Sequence, residues 1–281
     1  MKNLIAFCFA VAVSAVFADT FLWTGAKDGV WTDPANWTDE SGAAVSRSPG
    51  AVKDADTGVC WHNWTNDIDT AVFEGTGNGN TLFPGAVIGA VPQDLKFKGE
   101  DTTAEIGDNN KIRENVTIHR GTASKGTTIV GNNNLIMENA HIAHDCIFGS
   151  NIIMGNSTKL AGEVIVDDQA IISAAVLVHQ FTRIGGISMT QGGTRTSSDI
   201  PPYITAAREP VAYCGINLVG LRRRGFSREL IDNIHDCYRI IYNSNLRVVE
   251  ALERIKAEIP MSPEIQYIID FVGSSRRGIV R

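Results

Sequence analysis

From Val130 onward, every sixth residue is apolar through ten positions: Val130, Ile136, Ile142, Phe148, Met154, Leu160, Val166, Ile172, Val178 and Ile184. With 43% of the chain apolar, chance fills one such frame about twice in ten thousand trials. A period of six is neither helical nor that of an alternating strand. The frame runs back through Ile118, Ile112 and Ile106 to Ile88, interrupted at Ser124 and over Asp94–Glu100. The following residue is often glycine (Gly107, Gly131, Gly149, Gly155, Gly185), and the residue four places on is small or β-branched (Thr122, Ala140, Thr158, Val164, Ala170, Val176). The physical solution is a parallel β-helix of triangular section. Three hexapeptides make one coil, with the frame residue inward and small residues at the corners. Residues 18 apart then lie ~5 Å above one another. Ile88 to Thr190 is expected to make nearly six coils. Polar residues fill the inward slots over 91–101, which predicts a loop thrown out of the solenoid, a common seat of function.

After Pro201-Pro202 the period becomes helical. Ser227 is placed to cap a helix carrying Leu230, Ile231, Ile234, Tyr238 and Ile241 on one face. A second helix is expected over about 246–258. Ser262-Pro263 starts a third, with Ile265, Ile268, Ile269 and Val272 inward.

The N-terminal part is different. All five tryptophans (Trp23, Trp31, Trp37, Trp61, Trp64) precede residue 65, and residues 1–81 carry four Lys/Arg against ten Asp/Glu. Lys2, the apolar Leu4–Phe17 stretch and Val16-Phe17-Ala18 form the pattern of a secretory signal. That run is short for a bilayer crossing, and no later one is long enough. The expected organisation is a signal peptide at 1–18, a Trp-rich β segment at 19–81, the β-helix at 82–200 and a helical domain at 201–281. The tryptophans suit either a small core or a platform on which sugar rings stack. Cys8, Cys60, Cys146, Cys214 and Cys237 contain no C-x-x-C pair, so neither a zinc motif nor a disulfide framework is indicated. A net charge of −6 gives no reason to expect nucleic acid as partner.

His141 and His144 stand beside a carboxylate in Asn139-Ala140-His141-Ile142-Ala143-His144-Asp145, outside the inward frame. Imidazole next to carboxylate suits general-base work, because the carboxylate fixes the tautomer and supports the basicity. Surface histidines without a role are the other reading of the same spacing. Gln180 lies 36 residues past His144, two coils along the same edge. A zinc site would need a third ligand from a neighbouring subunit, as in hexapeptide-repeat carbonic anhydrases. Arg222, Arg223 and Arg224 offer three guanidinium forks that match phosphate oxygens, or else a solvated basic turn.

The stretches QDLKFKGE (93–100), IGDNNKIRENVTIHRGT (106–122), NAHIAHDC (139–146), VHQF (178–181), IPPY (200–203) and GINLVGLRRRGFSRE (215–229) resemble the UDP-N-acetylglucosamine O-acyltransferases that begin lipid A synthesis. The resemblance spans about 82–281. It implies a left-handed parallel β-helix (hexapeptide repeat) followed by an α-helical C-terminal domain, here behind a small β-rich N-terminal segment. It also implies transfer of a 3-hydroxyacyl chain from acyl carrier protein to the sugar 3-hydroxyl. By that resemblance His144 is the general base, Asp145 orients it, and the Gly162 N–H stabilises the oxyanion. Asp94, Lys96, His119, His141, His179 and Gln180 line the substrate site, Asn217, Arg223 and Arg224 contact the nucleotide-phosphate end, and Gly192 lies where acyl length is set. Homotrimers are implied, with sites between subunits, no metal, and no cofactor beyond the acyl carrier protein thioester.

Three departures stand out. Glu163 replaces a histidine found in some members, Val219 replaces an acidic residue, and a Trp-rich segment stands where the family has further coils. Loss of coils is expected to weaken a trimer and shorten the donor groove. The compartments also conflict, since both substrates are cytoplasmic whereas residues 1–18 argue for export. A non-catalytic exported β-solenoid, or a chimaeric, truncated acyltransferase without activity, is the alternative. The N-acyltransferase two steps later in the pathway lacks the Q-D-L-K and R-R-R-G-F-S stretches.

Overall fold

The computed structural model describes residues 79–281 throughout and, further upstream, the strands Phe21–Trp23, Trp37–Asp39 and Ala71–Phe73. The proposed signal peptide, the platform tryptophans Trp31, Trp61 and Trp64, and Cys8 and Cys60 lie outside the described residues. The chain divides into two units, Met1–Ala51 and Val52–Arg281. In the first, Phe21–Trp23 pairs antiparallel with Trp37–Asp39.

The second unit is the left-handed parallel β-helix. Its three faces are sheets of stacked rungs, six strands in the first face, eight in the second and six in the third. The first face runs from Ala71–Phe73 through Thr127–Val130 and Ile147–Phe148 to Arg183–Ile184. The second runs from Thr81–Leu82 through Leu135–Ile136 and Ile153–Met154 to Met189–Thr190, and the third from Val87–Ala90 through Thr117–His119 and His141–Ile142 to Arg195–Thr196. The ten frame residues point inward and are at most 3% exposed. Burying each such side chain contributes roughly 1.5–3 kcal/mol. At the corners, Thr128, Ala140, Thr158, Val164, Ala170, Val176 and Thr182 are fully buried, which is why small or β-branched residues recur there.

Each corner turns on one residue of left-handed backbone. Asn109, Asn115, Asn133, Asn139, Asp145, Asn151, Ser157, Glu163, Gln169, Ala175, Phe181 and Ile187 all have φ between 55° and 64°, and Gly193 continues the series at 76°. Asn and Asp tolerate this region best, and they hold it in the earlier coils. Inside one corner the Asn110 N–H donates to Asn80 Oδ1, the Asn134 N–H to Asn110 Oδ1 and the Ile152 N–H to Asn134 Oδ1, an amide ladder joining successive coils.

From Ile129 to Thr196 the register is 18 residues per coil (Ile129 with Ile147, Ile147 with Ile165). Thr103 instead pairs with Thr127, and Val87 with Thr117, because loops leave the solenoid at 91–102 and 120–126. The first loop was expected. The second, signalled only by Ser124, removes a further hexapeptide. Ile88 to Thr190 therefore makes five coils rather than nearly six, and the ladder reaches six by extending at both ends. The boundary expected at residue 82 also moves upstream. Ala71–Phe73 already pairs parallel with Ala104–Ile106, so the ladder crosses the change in composition.

The last part, 201–281, begins as sheet rather than helix. Ile204–Ala207 adds to Met189–Thr190, and Ala212–Ile216 returns antiparallel. Four helices follow: α1 Leu218–Arg223, α2 Arg228–Asn243, α3 Val248–Glu258 and α4 Pro263–Gly273. Ser227 and Ser262 cap α2 and α4 as expected. The buried face of α2 is Ile231, Ile234, Cys237, Tyr238 and Ile240; Leu230 and Ile241 flank it half-buried. Tyr267 Oη accepts from the Gly186 N–H and donates to Asp167, fastening α4 to the solenoid. Cys146, Cys214 and Cys237 are free thiols.

Candidate active site

The segment Asn139–Asp145 folds as one rung and one corner. His141 and Ile142 form the rung, with Ile142 inward, and Asp145 turns the corner at φ 59°. That backbone conformation carries the Asp145 carboxylate back into the protein, where its side chain has no exposure. Four donors reach it. The Thr122 N–H lies 2.9 Å from Oδ1 and the Thr122 hydroxyl 2.6 Å from Oδ2. The Lys125 N–H lies 3.2 Å from Oδ1, and His144 Nδ1 is 2.8 Å from Oδ2. Burial opposes the negative charge, but the bonds from Thr122 and His144 outweigh it and hold the carboxyl below its ordinary range.

An ionised carboxylate only accepts, so His144 Nδ1 carries the proton and Nε2 is left as a base. The ring is 19% exposed. Its other edge faces the next coil, where a Cβ on Gly162 would lie 2.4 Å from both Cε1 and Nε2. Only glycine admits the imidazole at that distance. Gly162 O accepts from the Phe181 N–H and Glu163 N–H donates to His144 O, while the Gly162 N–H has no acceptor among the described residues. A basic nitrogen and an unused backbone donor thus sit side by side, the pairing that acyl transfer requires.

His119 and His141 stand nearby with rings 4.7 Å apart, edge to face. Burial, and then the neighbouring His141 and His144, push His119 down to about 4. Burial, then Lys159 and His144, also lower His141. Both are neutral near pH 7 and serve as hydrogen-bonding groups. His141 Nδ1 lies 2.7 Å from Thr117 Oγ1, so of the two adjacent histidines only His144 engages the carboxylate. His119 Nδ1 is buried without a partner among the described residues. Two coils on, His179 helps line a cleft of about 310 Å³ with Leu177, Val178, Arg195, Thr196 and Ser197. Gln180 occupies the corner above Gly162. Among the described residues no group of three or more His, Cys, Asp or Glu side chains is arranged to hold a metal ion.

The remaining expected residues lie elsewhere. Asp94 and Lys96 are on the 91–102 loop, where Asp94 Oδ1 accepts from the Lys96 N–H at 3.0 Å. Phe97 lies under the Arg120 guanidinium, 5.3 Å from ring centroid to carbon. Gly192 is at the corner of Asn139, Ser157, Ala175 and Gly193, where a Cβ would meet the Ala174 carbonyl at 3.1 Å. Asn217 is buried and spends its amide on the Gly220 N–H, which caps α1, and on Ile187 O. Arg224 is bonded to the side chain and carbonyl of Gln169, and Arg223 is exposed. Thr122 and Lys125, which hold Asp145, escaped the sequence reading, although the break in the repeat at Ser124 marked their loop.

The family model described as UDP-N-acetylglucosamine O-acyltransferase, domain 2, matches 199–280. The acyl-[acyl-carrier-protein]–UDP-N-acetylglucosamine O-acyltransferase of Myxococcus xanthus is 45% identical over 206 residues, 73% of this chain and 80% of the relative. That of Herminiimonas arsenicoxydans is 46% identical over 210 residues with the same coverage. A crystal structure of a UDP-N-acetylglucosamine acyltransferase from Bacteroides fragilis superposes with a TM-score of 0.74 at 67% identity, covering 75% of this chain and 82% of that one.

Proposed function

The chain belongs to the acyl-[acyl-carrier-protein]–UDP-N-acetylglucosamine O-acyltransferase family, and from that premise we propose how its residues carry out the transfer that begins lipid A synthesis. The observation that carries the reading is His144, held at Nδ1 by buried Asp145 and abutting Gly162 at Nε2. His144 Nε2 takes the proton of the sugar 3-hydroxyl as that oxygen attacks the thioester carbonyl. The oxyanion forms against the Gly162 N–H. On collapse the carbon–sulfur bond breaks, and the thiol of acyl carrier protein leaves with the proton from His144. No metal or further cofactor enters any step. Asp94, Lys96, His119, His141, His179 and Gln180 line the substrate site; Asn217, Arg223 and Arg224 contact the nucleotide-phosphate end, and Gly192 serves the acyl tail.

These groups stand at three different corners of one chain. His144 shares its corner with Glu163 and Phe181, Asn217 and Arg224 bind that of Gln169 and Ile187, and Gly192 lies at that of Ala175. They serve one substrate only if neighbouring copies supply them, which favours a homotrimer. The outer faces agree. Ile129, Ile147 and Ile165 stack in register along the first face, and Leu135, Ile153, Ile171 and Met189 along the second. Ile147, Ile153 and Met189 are 36–39% exposed. First face against second brings the His144 corner of one copy to the Gly192 corner of the next. Both substrates place the reaction in the cytoplasm, and no described helix is long and apolar enough to cross a membrane.

The test is transfer from a 3-hydroxyacyl thioester of acyl carrier protein to UDP-N-acetylglucosamine by the full chain and by His144→Ala. Turnover abolished by the substitution is expected. Equal turnover in both, or none in a folded wild type, overturns the reading.

A further inference from the structure

The loop that leaves the solenoid at 120–126 is tied down at several polar points. The Gly126 N–H donates to Thr122 O at 2.7 Å and closes the loop, and the Gly121 N–H donates to Thr103 O at 2.9 Å. At Gly121 a Cβ would meet Thr127 N at 2.3 Å, so the loop is drawn tight against its own stem. Its tip faces two successive turns of one corner. On one, Thr122 and Lys125 supply three of the four hydrogen bonds on the Asp145 carboxylate, and only the fourth comes from His144. On the other, the Ser124 hydroxyl donates to Glu163 Oε1 at 3.0 Å, with Lys125 Nζ 3.8 Å from Oε2. Asp145 follows His144 and Glu163 follows Gly162, so one insertion grips the neighbour of each reacting group.

We infer that the 120–126 loop is a clamp that sets the His144 imidazole against Gly162, with Thr122 as its positioning residue. The inference rests on the function proposed above. Thr122 bonds to Asp145 and not to His144. Its two donors occupy different carboxylate oxygens, which fixes the plane of the carboxylate and hence the direction in which Oδ2 accepts from the imidazole. Glu163 belongs to the same clamp, anchored from the loop by Ser124 and Lys125.

Thr122→Val keeps the branched shape and the backbone N–H but removes the hydroxyl donor; Thr122→Ser restores it. In the full chain the valine variant is expected to lower kcat about tenfold to a hundredfold with KM for UDP-N-acetylglucosamine changed less than about twofold. Serine restores most of the rate. The Nδ1–H proton resonance of His144, shifted downfield by its bond to a carboxylate, is present in the wild type and the serine variant and lost in the valine variant. Unchanged kcat and resonance in Thr122→Val, or a loss that serine does not restore, overturns the clamp. If the wild type shows no transfer, the resonance alone decides. Its loss in valine and retention in serine upholds the positioning role while the proposed function fails. Thr122→Ala, smaller than the native residue, carries the same expectations if the valine chain does not fold.

Discussion

Alanine at position 162 tests the site by geometry alone. The added Cβ would lie 2.4 Å from Cε1 and 2.4 Å from Nε2 of His144. Carbon atoms in contact need about 3.5–4.0 Å, so the imidazole edge must retreat by about 1 Å. It cannot do so freely, because Nδ1 is held 2.8 Å from a carboxylate that three other donors fix in place. Either the ring shifts and the bond to Asp145 lengthens, or the corner of the next coil moves outward. A displacement of about 1 Å at the reacting atoms costs on the order of a hundredfold in rate. The backbone does not resist alanine, since Gly162 is not among the residues of left-handed φ.

Gly162→Ala is therefore expected to lose about a hundredfold in kcat for transfer from 3-hydroxyacyl carrier protein, with KM for the nucleotide sugar little changed. The solenoid core is untouched, so the melting temperature should shift by only a few degrees. The double variant with His144→Ala should be no slower than His144→Ala alone, because the clash acts through the ring that has been removed. A Gly162→Ala enzyme within about threefold of wild type would refute the reasoning. It would mean that the ring has room to retreat without consequence, and that the approach to Gly162 is not a requirement of the chemistry.

Protonation supplies a second prediction. His119 is held near 4 against an ordinary value of 6.5, so the unfolded chain binds its proton first. Stability then falls as pH drops from about 6.5 towards 4, by up to about 3 kcal/mol from this residue; Asp145, depressed in the folded state, contributes only at still lower pH. Denaturant unfolding at pH 7 and 4.5 should show the loss, and His119→Gln should reduce it. Ile153→Asp puts a charge in the exposed apolar stripe of the second face and is expected to turn a trimer into monomers by analytical ultracentrifugation, with retention of the trimer counting against that interface. Phe148→Ala empties a fully buried slot of the solenoid and should destabilise by about 3–5 kcal/mol, read as a lower unfolding midpoint.

The fold was legible because its constraint is periodic. One inward residue in six leaves a pattern that no helix or ordinary strand produces, and the structure buries every member of that frame from Val130 to Ile184. A second signal went unused. Asn109, Asn115, Asn133, Asn139, Asp145 and Asn151 lie at multiples of six from one another and mark the left-handed corners. In later coils Glu163, Gln169, Ala175, Phe181 and Ile187 hold the same conformation, so stacking on earlier corners there overrides the local preference and the signal fades. The coil count was misjudged for a related reason. The 120–126 loop lengthens its coil by six residues, so the frame resumes in phase and its count alone does not reveal the loss.

The site was legible only where its chemistry lies in one short segment. His144 and Asp145 are adjacent in sequence, and their pairing follows from the corner at Asp145. The donors on that carboxylate come from 20 and 23 residues away, and the glycine at the ring from the next coil. No local pattern announces those meetings. A coil of 18 residues predicts only the second of these once the register is known, because His144, Gly162 and Gln180 fall on one vertical line. The same arithmetic places Gly192 and the Gln169 and Ile187 corners on two other lines of the prism. On the proposed homotrimer, the edges that a solenoid keeps apart within one copy meet between neighbouring copies. Ile153→Asp, on the outward apolar stripe of the second face, is then expected to abolish transfer without touching any group that takes part in it.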